Sequence, residues 1–131
     1  MDMEVSLPGK LVTVVDYNGF TVRTAQPVSS GGDGSASSPF DLFLISLASC
    51  AGVYVSFFCE KRGIPTADIK VVQKMERDPA SHMISRIAIE VRLPESFPEK
   101  YVSALLKSVD LCTVKRHILD APEFDVTAVR V

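Results

Sequence analysis

Cysteine and histidine are scarce in this 131-residue chain. There are three cysteines, Cys50, Cys59 and Cys112, and two histidines, His82 and His117. Neither Cys-x-x-Cys nor His-x-x-x-His occurs, so the ligand spacing of a zinc site is missing. An odd, sparse cysteine set does not fit a secreted disulfide scaffold. The N-terminus, MDMEVSLPGK, lacks the apolar run of a targeting segment, so a reducing cytoplasm is the expected compartment. Residues 27–37, PVSSGGDGSAS, contain three glycines but no P-loop lysine and no G-x-G-x-x-G, which argues against a nucleotide cradle. The net charge is −2 and no basic cluster appears, so nucleic acid is not an expected partner. There are no repeats and no linker long enough to divide the chain, and one domain over 1–131 is expected.

What is present is patterned for a soluble α+β domain, with 47% hydrophobic and 23% charged residues. A short strand over 3–7 is closed by Pro8-Gly9. KLVTVVDYNGFTVRTAQ then reads as a hairpin, with Asn18-Gly19 supplying the two positive-φ positions of a type I′ turn. ADIKVVQKMER and MISRIAIEVRL are two strands of a long antiparallel hairpin. In the second, Met83, Ser85, Ile87, Ile89, Val91 and Leu93 share one face. FPEKYVSALLKSVD is an amphipathic helix with Tyr101, Leu105 and Val109 on its apolar stripe. A short helix, LCTVKRHIL, starts after Asp110, and EFDVTAVRV is a final strand. The order βββ–α–ββ–αα–β is α+β and not doubly wound.

The most unusual stretch is SPFDLFLISLASC followed by AGVYVSFFC, with no formal charge from Leu42 to Cys59. Ser38 as N-cap, Pro39 at N1 and Asp41 at N3 start a helix there. It is expected to run to about Arg62, where Gly63 and Pro65 stop it, a length of ~36 Å. Such a run reaches the length of a membrane span. Its serines and small residues, the acidic Asp41 at its start and the absence of a positively flanked aromatic belt favour burial in protein, and no membrane is expected. A chain of this size can hardly surround so long an apolar helix alone, which points to packing in a dimer.

Cys50 lies mid-helix among Ala48, Ser49, Ala51 and Gly52, whose small size permits close approach. Cys59, nine residues on, points to the opposite side and reads as a plain core residue. Cys112 is expected near N2 of the short helix, capped by Asp110, where the helix dipole favours a thiolate. Spacing alone leaves Cys50 and Cys112 open between buried hydrophobe and reactive thiol.

Pro39, Asp41, the apolar run, Cys50, and later Cys112 with Val114 resemble the pattern of the OsmC/Ohr family of osmotically inducible and organic-hydroperoxide-resistance proteins. The element order matches over nearly the whole chain. The likeness is to the general OsmC-like branch, since Cys112-Thr113 stands where the hydroperoxide-resistance branch has Cys-Pro. The resemblance implies an OsmC-like fold in an intertwined homodimer. It also implies a thiol peroxidase of oxidative-stress defence. Cys50 would attack an organic hydroperoxide and Cys112 would resolve the product as a disulfide. An external dithiol or lipoyl-type reductant would recycle it, with no bound cofactor or metal. The family pairs its thiol with an arginine from the N-terminal strands, oriented by an acidic residue. Here Lys10 lies nearest that loop, Arg23 is on the third strand, and Asp41 replaces the common glutamate. Asp41 precedes Cys50 by nine residues, on the far side of a straight helix ~13 Å away. It can act across a break in the helix, in the partner's site, or only as a cap. Arg116 and His117 can line the site or answer the dipole of the short helix. The alternative is a non-enzymatic OsmC-like dimer that binds a small apolar ligand or senses oxidation through Cys50.

Overall fold

The computed structural model describes residues 1–131 as two compact units, 1–45 and 46–131. The first holds a three-stranded antiparallel sheet in the order β1 (Glu4–Gly9), β2 (Val12–Tyr17), β3 (Phe20–Ala25). Asn18 and Gly19 have φ of 49° and 77°, so the β2–β3 connection is the two-residue turn its sequence implies, closed by Tyr17 opposite Phe20. The β1–β2 turn is less obvious. Its central residues are Lys10 and Leu11, both at φ 57°, after a register shift between Ser6 and Gly9. The hairpin therefore bends at Lys10, which does not start the second strand as the sequence suggests. Left-handed backbone at two residues with side chains costs about 1–2 kcal/mol each. Val12, Thr24 and Ala25 are the buried residues of this sheet.

The long helix α1 spans Pro39–Glu60 without interruption. Its N-terminus is a reciprocal capping box: the Asp41 N–H donates to Ser38 Oγ at 3.1 Å, and the Ser38 N–H donates to Asp41 Oδ2 at 3.3 Å. At its other end Gly63 adopts φ 64°, and the Ile64 N–H reaches back to the Cys59 carbonyl at 3.0 Å, closing the helix as Gly63 and Pro65 suggest. By length and composition α1 would pass for a membrane span. Its buried residues, Leu47, Ala51, Val55, Phe58 and Cys59, lie along one side. Ile45, Val53 and Phe57, on the other side, stay exposed. The helix is apolar all round in sequence but covered on one flank only within its own chain.

In residues 46–131, β4 (Lys70–Arg77) and β5 (Ile84–Arg92) pair antiparallel, with a register shift at Glu76/Arg77. A 3₁₀ turn, Glu99–Tyr101, leads into α2 (Val102–Asp110), and α3 covers Thr113–Leu119. One core cluster unites Ala51, Val55, Phe58 and Cys59 of α1 with Phe97 and with Leu105 and Val109 of α2. Val71, Ile89 and Val91 of the hairpin pack against it. The α2 stripe thus buries Leu105 and Val109 as its periodicity requires, whereas the apolar face of β5 is only partly buried at Ile89 and Val91 and is exposed at Ser85 and at Met83 just before the strand. Residues 121–131 differ from expectation. They carry the strand-like pattern of EFDVTAVRV, yet form no strand, and Phe124, Val126 and Val129 are exposed. A strand exists only against a paired edge, and these residues have none within the chain.

The hairpin carries a diagonal cross-strand pair on one face, Lys74 Nζ to Glu90 Oε2 at 2.7 Å, and Arg92 joins the same carboxylate. The hydrogen bond from Lys74, then that from Arg92, holds the Glu90 carboxyl at about 2, below its ordinary 4.5. A depressed acid contributes stability that is complete above the ordinary value and lost as pH falls through the folded one. We therefore expect Glu90→Gln to lower the urea midpoint at pH 7 and to close that gap as pH falls from 4.5 to 2. Since these groups are exposed, the gap is expected to be small and to shrink further in high salt.

Candidate active site

All three cysteines are free thiols. Cys59 is fully buried in the core cluster, and burial pushes its thiol up, as befits an inert core residue. Cys50 and Cys112 meet. Cys50, on α1, is half-buried, whereas Cys112 is 1% exposed. Burial is the main reason the Cys112 thiol is pushed up. A side-chain hydrogen bond to Cys50 and the charge at Cys50 push it further the same way. The two thiols are therefore within interaction range of each other.

This corrects the expectation for Cys112. Asp110 ends α2 rather than capping α3, and its carboxylate pairs instead with Lys115. Cys112 is itself the N-cap of α3, extended at φ −50°, ψ 134°, and its sulfur accepts from the Lys115 N–H at 3.5 Å. That backbone bond favours the thiolate, but desolvation outweighs it.

Lys10, Arg23 and Asp41, also singled out in the sequence, lie in residues 1–45. Arg23 Nη1 donates to Ser35 Oγ at 2.7 Å, and Nη2 lies 3.9 Å from Asp33. Asp33 is held below the usual carboxylate range chiefly by its hydrogen bonds from Ser35, then by the charges of Arg23 and Lys10. Lys10 and Arg23 thus gather around one acid. Asp41 is engaged in the capping box, on a helix with no break between it and Cys50.

Tyr54 was not evident from the sequence, whereas Arg116 and His117 were named there as residues that can line the site. Tyr54, one turn after Cys50, shares a 2.9 Å hydroxyl–hydroxyl hydrogen bond with Thr113, which follows Cys112. Arg116 Nη2 donates to Tyr54 Oη and to Thr113 Oγ1, each at 3.4 Å. The available signal was spacing, because Tyr54 stands four residues after Cys50 and Arg116 four after Cys112, each on its cysteine's helical face. His117 turns back to the Thr113 carbonyl at 2.7 Å. A cleft of about 1110 Å³, mostly apolar, reaches Cys112 between β5, α2 and α3. Leu47, Ile87, Val102 and Leu106 are among its walls.

The family model described as OsmC-like protein matches residues 32–127. Solved structures agree at the level of fold. An osmotic stress induced and detoxification response protein from Psychrobacter arcticus 273-4 superposes with a TM-score of 0.74 at 22% identity, covering 87% of this chain and 85% of that one. An OsmC like protein from Mycoplasma pneumoniae gives 0.70 at 13%, covering 92% and 87%. An organic hydroperoxide resistance protein OsmC from Legionella pneumophila gives 0.57 at 17%, covering 90% and 89%. No curated protein matches the chain.

Proposed function

Because this chain belongs to the OsmC-like family, we propose that it reduces organic hydroperoxides with a peroxidatic Cys50 and a resolving Cys112. The observation that carries the reading is the meeting of the Cys50 and Cys112 thiols, one from α1 and the other from the N-cap of α3. In the first step the Cys50 thiolate attacks the terminal oxygen of ROOH. An S–O bond forms and the O–O bond breaks. The alkoxide leaves with the electron pair and takes a proton to become ROH, and Cys50 is left as a sulfenic acid. Cys112 then attacks the Cys50 sulfur. The S–S bond forms, and the hydroxyl leaves as water with the Cys112 proton. An external dithiol, of small-molecule or lipoyl type, reduces the disulfide by exchange and is itself oxidised.

The test is intact mass after one equivalent of an organic hydroperoxide. Loss of two hydrogens, mapped to a Cys50–Cys112 peptide, is the expected result. An unchanged mass would sink the reading.

We also propose that the working form is a cytoplasmic homodimer. Two features support this: the exposed apolar flank of α1, with Ile45, Val53 and Phe57, and the unpaired C-terminal segment with Phe124 and Val126. Val53→Asp changes helix propensity little. At a solvated site it is nearly silent, whereas at a buried interface an unpaired charge costs several kcal/mol. The expected outcome is a dimer for the parent chain in sedimentation and a monomer with unchanged far-UV circular dichroism for Val53→Asp.

A second reading, a dimer that binds an apolar ligand and reports oxidation, is favoured by the cleft beside Cys112. Multiple turnovers with excess dithiol would exclude it as the sole role.

A further inference from the structure

Resting on the dithiol reading, we propose that Tyr54, Thr113 and Arg116 form a clasp that positions Cys112 for the resolving step, with Arg116 holding it closed. The three come from two helices and lie one turn or less from the two thiols. The Tyr54–Thr113 bond ties α1 to the first residue of α3, next to Cys112. The Arg116 guanidinium spans both hydroxyls. Lys115 does not share this task, since its ammonium pairs with Asp110.

The need for a clasp follows from the geometry of Cys112. As the N-cap, its sulfur is held by the Lys115 N–H. To form a disulfide it must give up that bond and approach the Cys50 sulfur to about 2.05 Å, with the Cα atoms about 4.4–6.8 Å apart. The Cys112 sulfur must therefore move toward Cys50 while the start of α3 stays within reach of α1. A tether through Thr113 allows a small movement and prevents separation. It raises the effective concentration of Cys112 at oxidised Cys50, the usual origin of fast intramolecular steps. One nitrogen of Arg116, Nη2, serves both hydroxyls at once, and the rigid planar guanidinium holds it with less freedom than a lysine ammonium on its flexible stem. These are positioning residues: they act on the second step through Cys112 and leave the encounter of Cys50 with hydroperoxide alone.

The test separates the two steps by rapid quench. Tyr54→Phe deletes one oxygen and keeps the ring that packs edge-on to Phe57. Arg116→Ala alters an exposed side chain. In both variants the rate of Cys50 oxidation by an alkyl hydroperoxide is expected to stay within about twofold of the parent. Disulfide formation is expected to slow by roughly tenfold or more, on the scale that misplacement of a reacting group produces. With excess hydroperoxide, more Cys50 reaches the sulfinic acid. Arg116→Lys should fall between parent and alanine. Unchanged disulfide rates and unchanged sulfinic fractions in Tyr54→Phe and Arg116→Ala would overturn the clasp. So would an equal slowing of the first step, since that would place Arg116 at the attack on hydroperoxide. A parent chain that forms no sulfenic acid defeats the dithiol reading itself, a failure visible before any variant is made.

Discussion

Cys50→Ser is expected to reduce hydroperoxide consumption by about 10³-fold or more, to the background of the buffer. A serine hydroxyl stays protonated at neutral pH and forms no stable sulfenic analogue, so the step that breaks the O–O bond has no nucleophile. Cys112→Ser should behave differently. It leaves the Cys50 nucleophile in place and removes the resolving thiol. One equivalent of alcohol should appear in a fast burst and a second more slowly, followed by arrest. The protein should then gain two oxygen atoms as Cys50 proceeds to the sulfinic acid. Cys59→Ser should leave both steps intact and cost only stability, because Cys59 is buried in the core cluster. Stopped-flow alcohol release with intact-mass readout distinguishes the three. Steady turnover by Cys50→Ser, or by Cys112→Ser with dithiol present, would refute the assigned roles.

Leu105→Ala is expected to lower stability by about 2–5 kcal/mol, the usual range for truncating a buried leucine. Leu105 is fully buried and belongs to the cluster that joins α2 to α1. Against a total of roughly 5–15 kcal/mol the loss is large, and a fall in melting temperature on the order of 10 °C should follow. The neighbouring Leu106 is 48% exposed, and Leu106→Ala should shift the midpoint far less. The consequence reaches the thiols, since α2 ends at Asp110 and hands the chain to Cys112 two residues later. Near its melting temperature, Leu105→Ala should therefore lose disulfide formation before it loses far-UV signal. Thermal melts alongside rates of Cys50–Cys112 bond formation would check both effects. A midpoint within 2 °C of the parent would contradict this account of the core.

The elements set by local chemistry were legible in the sequence. Asn18-Gly19 dictated one turn, Ser38, Pro39 and Asp41 the start of α1, and Gly63 its end. Period-two and period-3.6 patterns identified β5 and α2. The Lys10-Leu11 turn was hidden because nothing in either side chain asks for a left-handed backbone. The final strand was over-read, since apolar alternation specifies readiness to pair but supplies no partner edge. Cys112 was misplaced by two positions because Asp110 is a plausible cap, yet α2 uses it as its last residue.

By itself the sequence determined the α+β order, the apolar helix that carries Cys50 and the core role of Cys59, all of which follow from residue type, spacing and periodicity. Its motifs also resemble the OsmC-like pattern, and the family model matches residues 32–127. The tertiary structure decided that Cys50 and Cys112 meet and that burial pushes the Cys112 thiol up. It also decided that Tyr54 and Arg116 meet across α1 and α3. Such contacts join residues about 60 positions apart, and no local pattern encodes a bond between groups that only the packed core brings together.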